Sequence, residues 1–266
     1  MRYIDLHGVR VPVIGLGTWD LRGETCERAV LSALNLGYRH IDTAQSYANE
    51  EEIGKALQSS SVPREDIFLT TKVWYTHLHY SEVIQVLEES LRKLKTDYVD
   101  LYLIHWPSED VPLEETMSAM VKVKEEGKTR YIGVSNFDVP LLEKARQISP
   151  YPILTDQVEF HPYYSQKELL NYCQKNKVIL TAYSPLARRR LRGDLLLQEI
   201  GKKYGKTANQ IALRWLIQQE IVAAIPKAAN PEHQKENLDI FDFELTPEEM
   251  EKISRLDRRE KVASRI

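Results

Sequence analysis

The sequence is poor in cysteine: Cys26 and Cys173 are the only two among 266 residues. Two isolated cysteines provide neither a disulfide framework nor the paired spacing of a zinc site. We therefore expect two buried thiols in a reducing compartment and no bound metal.

Long apolar runs and an excess of one charge are also absent. No stretch approaches 18 uninterrupted apolar residues, and the first residues lack the apolar core of a secretory signal. The 36 Lys and Arg against 39 Asp and Glu leave a net charge of −3, which argues against a nucleic-acid-binding surface. These absences predict a cytoplasmic protein without membrane or nucleic-acid partners.

The sequence does contain a regular alternation of short apolar runs and amphipathic helical stretches. Eight runs that are apolar on both faces are typical of buried parallel strands: Arg39–Asp42, Ile67–Lys72, Tyr98–His105, Tyr131–Ser135, Ile153–Val158, Val178–Tyr183, Ile221–Ile225 and Ile240–Phe243. Helical stretches between them include Ser81–Leu94, Asp138–Ile148, Ser165–Asn176 and Ala208–Gln219. Over this length the alternation predicts an α/β fold, a (β/α)8 TIM barrel formed by a single domain, residues 1–266.

Three further elements lie outside the eight repeats. The first thirteen residues alternate apolar and polar around His7-Gly8, which predicts a β-hairpin that plugs the bottom of the barrel. Leu195–Tyr204 and Pro247–Leu256 are predicted as two extra helices, the second with a capping box at Thr246. The sequence is compatible with a monomer or with a small homo-oligomer.

Polar residues end most of the predicted strands, where a barrel carries its chemistry. Asp42, Lys72 and His105 end the first three, so we expect them at one mouth. Each residue alone is better interpreted as structural; the set together favours a function. Later strands end in further polar groups, namely Ser135, Asn136, Gln157, Glu159, Tyr183 and Lys227.

Two chemistries fit Lys72. A neutral Lys72 could act as a Schiff-base nucleophile, as in barrel aldolases, but a nearby Asp42 would keep it charged. A charged Lys72 would instead lower the pKa of Tyr47, ordinarily near 10, and make it a general acid that protonates a carbonyl oxygen. We prefer this second interpretation.

A series of short sequence motifs extends over nearly the whole chain. They are Gly15-Leu-Gly-Thr-Trp19, Ile41-Asp-Thr-Ala-Gln-Ser-Tyr47 with Asn49-Glu50, Thr71-Lys-Val-Trp74, Leu103-Ile-His-Trp-Pro107, Ile132-Gly-Val-Ser-Asn-Phe137, Gln157-Val-Glu-Phe-His-Pro162, Tyr183-Ser-Pro-Leu186, and Ile225-Pro-Lys227 with Glu236-Asn237. On these residues the chain resembles the aldo-keto reductases, which are NAD(P)H-dependent barrel oxidoreductases. The resemblance implies reversible reduction of aldehydes or ketones to alcohols by hydride transfer from nicotinamide.

The resemblance also implies a role for each catalytic residue. Tyr47 would be the general acid-base, Lys72 paired with Asp42 would lower its pKa, and His105 would orient the substrate carbonyl as a neutral imidazole. The expected substrate pocket, whose tryptophans could instead pack at the rim, is lined by Trp19, Tyr47, Trp74, His105 and Trp106.

The expected cofactor is NADPH or NADP+. The nicotinamide would stack on Tyr183, with its carboxamide held by Ser135, Asn136 and Gln157, and Arg188 would contact the pyrophosphate. The full set implied by the resemblance is Gly17, Thr18, Trp19, Asp42, Ser135, Asn136, Gln157, Tyr183, Ser184, Pro185, Leu186, Arg188, Ile225, Pro226, Lys227, Ala228, His233, Glu236 and Asn237.

The chain departs from the family pattern at several positions. Ala228 replaces a hydroxyl residue and His233 replaces an arginine that grips the 2′-phosphate, so we expect a weakened NADPH preference with NADH also usable. Ala48 stands where relatives have glycine after the tyrosine, and we expect ordinary backbone there. Few residues follow the last predicted helix, which predicts an open pocket and a broad range of aldehydes. A barrel that binds cofactor without efficient turnover, and an aldolase, remain rival functions.

Overall fold

The computed structural model describes residues 2–263 and has the (β/α)8 architecture. A short antiparallel hairpin, β1 (Tyr3–Leu6) and β2 (Val9–Pro12), precedes the barrel. The eight parallel barrel strands are β3 (Leu16–Gly17), β4 (His40–Asp42), β5 (Phe68–Val73), β6 (Val99–Ile104), β7 (Thr129–Ser135), β8 (Ile153–Glu159), β9 (Ile179–Tyr183) and β10 (Val222–Ala224). Each pairs with its sequence neighbour.

The barrel closes between its first and last strands. Parallel bridges join Ile14 to Ala224 and Gly17 to Lys227, and the amide of Gly15 donates to the carbonyl of Ala224 at 2.9 Å. The carboxyl ends of all eight strands therefore meet at one mouth.

Helices alternate with the strands and cover the outside of the barrel. They are α1 (Gly23–Asn35), α2 (Glu50–Ser59), α3 (Tyr80–Leu94), α4 (Leu113–Glu125), α5 (Val139–Ile148), α6 (Lys167–Asn176), α7 (Leu195–Tyr204), α8 (Ala208–Gln218), α9 (Pro231–Leu238) and α10 (Pro247–Ser254). The two predicted extra helices are confirmed as α7 and α10, and the capping box at Thr246 is present. Within residues 2–263, no helix combines the length and apolar character that a membrane span requires.

The predicted hairpin is confirmed as a plug at the bottom of the barrel. Its turn residues His7 and Gly8 both have positive φ, as a two-residue hairpin turn requires. Val11 packs against Phe68, Leu154 and Ile179, which lie at the amino ends of barrel strands. The plug thus closes the end opposite the mouth.

One predicted strand is wrong and one was missed. Ile240–Phe243 forms no strand, although Ile240 is fully buried in the core. The strand that was not predicted is β3, so the strand that ends at Asp42 is the second of the barrel and not the first. The glycines in and around β3 interrupt the apolar pattern by which the other strands were predicted. Glycine is required at position 17 for a steric reason, because a Cβ there would lie 2.5 Å from the carbonyl oxygen of Ile225.

This close approach leads to a prediction. Gly17→Ala should lower the free energy of unfolding by about 1–3 kcal/mol, because the new methyl group must push two barrel segments apart. Thermal and urea denaturation measure the loss. Gly193→Ala is the matched control, since an added Cβ there meets nothing within 4 Å. Equal stabilities for the two variants would contradict a steric role for Gly17.

Candidate active site

A buried ion pair forms the floor of the mouth. The Lys72 ammonium donates to Asp42 Oδ1 at 2.6 Å and to the Thr43 carbonyl at 2.8 Å, and both side chains of the pair are buried. The other carboxylate oxygen, Asp42 Oδ2, accepts from Gln157 Nε2 at 2.7 Å. The expected pairing of Asp42 with Lys72 across the neighbouring strands β4 and β5 is confirmed. The bond from Gln157, which ties β8 to the pair, was not expected.

The environment of Lys72 bears on whether it could act as a Schiff-base nucleophile. Burial lowers the pKa of Lys72 below its ordinary value, while the Asp42 carboxylate opposes this shift. The pKa alone therefore does not exclude a Schiff-base nucleophile. The Lys72 side chain is, however, fully inaccessible, and its ammonium is bonded to Asp42 and Thr43. A carbonyl substrate could reach the amine only after this pair had been broken.

Tyr47 stands beside the pair on a 3-10 turn, Gln45–Tyr47, that follows β4. Its ring centroid lies 5.0 Å from Lys72 Nζ, and its hydroxyl bonds no residue in the described range 2–263. Ala48, which ends the turn, has φ 50° and ψ 42°. The expectation of ordinary backbone at Ala48 is wrong: the turn reverses through the left-handed region that favours glycine.

The expected direction of the Tyr47 pKa shift is also wrong. Burial and the Asp42 carboxylate raise the pKa of Tyr47 well above its ordinary value. The Lys72 ammonium, itself paired with the Asp42 carboxylate at 2.6 Å, does not reverse this shift. Tyr47 therefore remains a protonated hydroxyl near neutral pH.

His105 follows β6 and faces Tyr47 and Trp74. Ring centroids are 5.6 Å apart for Tyr47 and His105 and 4.9 Å for Trp74 and His105, both edge to face. Nδ1 lies 3.4 Å from Ser46 Oγ, while Nε2 bonds none of the residues that the structure describes. Burial and the nearby Lys72 ammonium hold the pKa of His105 well below its ordinary value. The imidazole is therefore neutral, as the resemblance implied.

A network of amides and hydroxyls continues around the mouth. Asn136 donates to the His105 carbonyl at 2.9 Å and to Ser135 Oγ at 3.0 Å, and it accepts from the Tyr183 hydroxyl at 2.8 Å. Ser135 donates to the Gln157 carbonyl at 2.7 Å. Hydrogen bonds thus join four of these side chains or their carbonyls into one network, namely Ser135, Asn136, Gln157 and Tyr183, and Gln157 connects the network to Asp42. Tyr183 itself is half-buried.

A separate edge of the mouth carries the residues expected near the 2′-phosphate. Lys227 and His233 are exposed, and Ala228 is buried. Lys227 bridges to Gly17 at the closure of the barrel. Glu236 accepts from the Thr207 hydroxyl at 2.6 Å, and Asn237 is buried beside Tyr38.

The remaining residues lie on segments that end at the mouth. Thr18 is buried and donates to the Asp42 carbonyl at 2.9 Å. Trp106, which follows His105, and Leu186, which follows Pro185, are half-buried. The backbone of Ser184 has a positive φ. Pro185, Ile225 and Pro226 are buried. No cluster of three or more metal-binding side chains occurs among residues 2–263.

Arg188 stacks on one of the tryptophans expected at the mouth. Its guanidinium stacks 4.8 Å from the ring centroid of Trp19, which is 39% exposed on the loop after β3. Sequence reasoning placed both residues at the mouth but did not pair them. It also missed the Thr43 carbonyl as a partner of Lys72, because a backbone acceptor has no side-chain signature.

The profile of the Aldo/keto reductase family matches residues 13–258. The chain belongs to the Aldo/keto reductase family. It is 42% identical over 261 residues to a glyoxal reductase of Bacillus subtilis, covering 97% of this chain and 94% of the relative. It is 39% identical to a methylglyoxal reductase of Escherichia coli O157:H7, covering 96% of both.

Solved structures are similar as well. A putative 2,5-diketo-D-gluconic acid reductase B superimposes with a TM-score of 0.95 at 46% identity, covering 97% of this chain and 92% of that one. A thermostable aldo-keto reductase in complex with the inhibitor epalrestat gives a TM-score of 0.92 at 45% identity, covering 96% and 100%. The chain is therefore an oxidoreductase of small carbonyl compounds, from a family that uses nicotinamide cofactors.

The buried pair generates a second prediction. Asp42→Asn and Lys72→Met should each destabilise the protein by about 3–5 kcal/mol, because each leaves one buried charge unpaired. The double variant should lose less than the sum, with a coupling of about 1–3 kcal/mol in urea unfolding. The exposed pair Arg28–Glu24 is the control and should couple by less than about 0.5 kcal/mol. Strict additivity at Asp42 and Lys72 would contradict a direct ion pair.

Proposed function

We propose that this chain reduces small aldehydes with NADPH, using Tyr47 as the proton donor, and that it accepts a broad range of them. The observation that carries the proposal is the Tyr47 hydroxyl at the mouth. It has no partner among residues 2–263, and the Tyr47 ring contacts both the buried Lys72 ammonium and the His105 imidazole. The names of two relatives, a glyoxal reductase and a methylglyoxal reductase, suggest that short dicarbonyl compounds belong to this range.

The residues around the mouth fit a dinucleotide. Tyr183 is half-buried and its hydroxyl is fixed by Asn136, so its flat ring suits stacking of a nicotinamide. Ser135, Asn136 and Gln157 lie beside it and can pair with a carboxamide. Exposed Lys227 and His233 would hold the 2′-phosphate at the other edge. When bound, the cofactor supplies the hydride.

The chain's own residues position the substrate and deliver the proton. The free Nε2 of neutral His105 would donate a hydrogen bond to the carbonyl oxygen and orient it toward Tyr47. The Tyr47 hydroxyl would then protonate that oxygen as negative charge develops there. Lys72, 5.0 Å from the Tyr47 ring centroid, would stabilise the resulting tyrosinate.

A raised pKa does not prevent Tyr47 from acting as the acid. It keeps Tyr47 protonated and ready to donate near neutral pH. An alkoxide is a much stronger base than a tyrosinate, so proton transfer remains favourable once the hydride has arrived. In the reverse direction the raised pKa leaves little tyrosinate at pH 7, and alcohol oxidation should accelerate as pH rises.

Tyr47→Phe tests the assignment of the acid. We expect kcat for glyoxal, methylglyoxal and an aromatic aldehyde to fall by about 10²- to 10⁴-fold. NADPH affinity, followed by fluorescence, should stay the same because the hydroxyl contacts no cofactor-binding residue. Tyr80→Phe, an exposed tyrosine on α3, is the control and should keep wild-type rates. Full activity in Tyr47→Phe would refute the proposal.

The cofactor preference is tested separately at His233. A histidine replaces the arginine expected near the 2′-phosphate, so the wild type should use NADPH preferentially but NADH as well. His233→Arg should raise the ratio of kcat/KM for NADPH over NADH about tenfold. Lys235→Arg, which keeps its charge on the same helix, should leave the ratio unchanged. A wild-type NADPH preference of many thousandfold would contradict dual use.

A further inference from the structure

The chain after α10 folds back over the rim of the mouth. From residue 256 onward it follows the loop between β8 and α6, where the amides of Arg258 and Glu260 both donate to the Tyr163 carbonyl at 3.1 Å. The Arg258 guanidinium stacks 4.2 Å from the Tyr163 ring centroid. We call residues 256–263 the tail. Its position is therefore fixed by backbone bonds as well as by side-chain packing.

Glu159 holds the end of this tail. Its carboxylate lies at the carboxyl end of β8, is 3% exposed, and accepts from the amides of Val262 at 2.6 Å and Ala263 at 3.0 Å. His161 Nε2 lies 3.0 Å from the same carboxylate. Burial opposes ionisation of Glu159, but these hydrogen bonds outweigh it and hold its pKa below the ordinary value. A buried carboxylate needs such partners, and the tail supplies two of them.

The tail in turn contacts the Arg-rich loop, Ala187–Gly193, which follows β9. Glu260 forms an ion pair with Arg190 of this loop. Arg258 lies 3.9 Å from Asp194, which caps α7 immediately after the loop. The Tyr163 hydroxyl donates to the same Asp194 carboxylate at 2.8 Å. The tail therefore connects β8 to the Arg-rich loop.

The backbone of the Arg-rich loop requires support from outside. Ala187, Arg188 and Arg189 all have positive φ, at 45°, 48° and 76°, a conformation that non-glycine residues adopt at a cost. On the mouth side the loop is fixed by Arg188 stacking on Trp19, and on the far side by Arg190 pairing with Glu260. Loss of either contact should let the loop relax away from the mouth.

We propose that Glu159 is a positioning residue that, by holding the tail, keeps the Arg-rich loop against the mouth and slows release of the dinucleotide. This rests on the proposed function, because the loop can act on a dinucleotide only if the mouth binds one. Glu159 acts through a chain of contacts, from its carboxylate to the tail amides, then from Glu260 to Arg190, and finally from Arg188 to Trp19.

Two measurements on the full-length protein test this proposal. Hydrogen exchange of the C-terminal peptide reports whether the tail is held, and stopped-flow fluorescence reports the rate of NADPH release. Glu159→Gln keeps the size of the buried side chain but removes its charge. Glu260→Gln and Arg190→Gln each break only the exposed ion pair between the tail and the loop. These two variants remain informative if Glu159→Gln impairs folding. Arg192→Gln, an exposed arginine of the same loop, is the control.

We expect Glu159→Gln to speed exchange of the Val262 and Ala263 amides and to speed NADPH release about three- to tenfold. Glu260→Gln and Arg190→Gln should speed release without exposing those amides. Combining Glu159→Gln with Glu260→Gln should add nothing to release, because both interrupt the same chain of contacts. In all these variants the single-turnover rate of carbonyl reduction should equal that of the wild type.

Other results would overturn the proposal in distinct ways. Unchanged exchange in Glu159→Gln would refute the clamp on the tail. Faster exchange with unchanged NADPH release, or full additivity in the double variant, would refute coupling to the Arg-rich loop. Failure of the wild type to bind NADPH would overturn the cofactor assignment and the coupling together, while the exchange data would still decide whether Glu159 holds the tail.

Discussion

The buried pair of Asp42 and Lys72 is the interaction on which the mouth depends. Two opposite charges without solvent contact are tolerable only when each has close partners. Here the ammonium has the carboxylate and the Thr43 carbonyl, and the carboxylate has the Gln157 amide. Satisfying these atoms fixes the relative positions of three strand ends, so the polar residues of the mouth are held on a rigid base.

Burial, assisted by the same pair, keeps two neighbouring side chains uncharged. The Lys72 ammonium helps to lower the pKa of His105, and the Asp42 carboxylate helps to raise the pKa of Tyr47. Both groups are therefore neutral near pH 7, and both can donate a hydrogen bond. A carbonyl oxygen that gains negative charge needs donors of this kind, arranged before the reaction begins. In the proposed mechanism the pair acts through its electrostatic field and takes no part in bond making.

The sequence predicted the fold wherever burial produces a repeating pattern. Seven barrel strands, both extra helices and the plug follow from periodicity and caps. The prediction failed at β3, where glycines required by close packing interrupt the apolar pattern. It also failed at Ile240–Phe243, where Ile240 is buried and the two phenylalanines pack against the core without strand pairing. An apolar run indicates burial, but only hydrogen bonding to a neighbour makes it a strand.

Within the site, the expected pairing of Asp42 with Lys72 is confirmed, whereas the expected direction of the Tyr47 pKa shift is wrong. Residues that end adjacent strands must meet, so Asp42 and Lys72 could be placed together from spacing alone. The direction of the Tyr47 pKa shift could not be predicted from spacing. It depends on how deeply Tyr47 is buried and on how the charges of Asp42 and Lys72 combine at its hydroxyl. Contacts made by the backbone escape sequence reasoning still more completely. The amides of Val262 and Ala263 bond Glu159 whatever their side chains, and the tail's place at the rim therefore emerges only from three-dimensional structure.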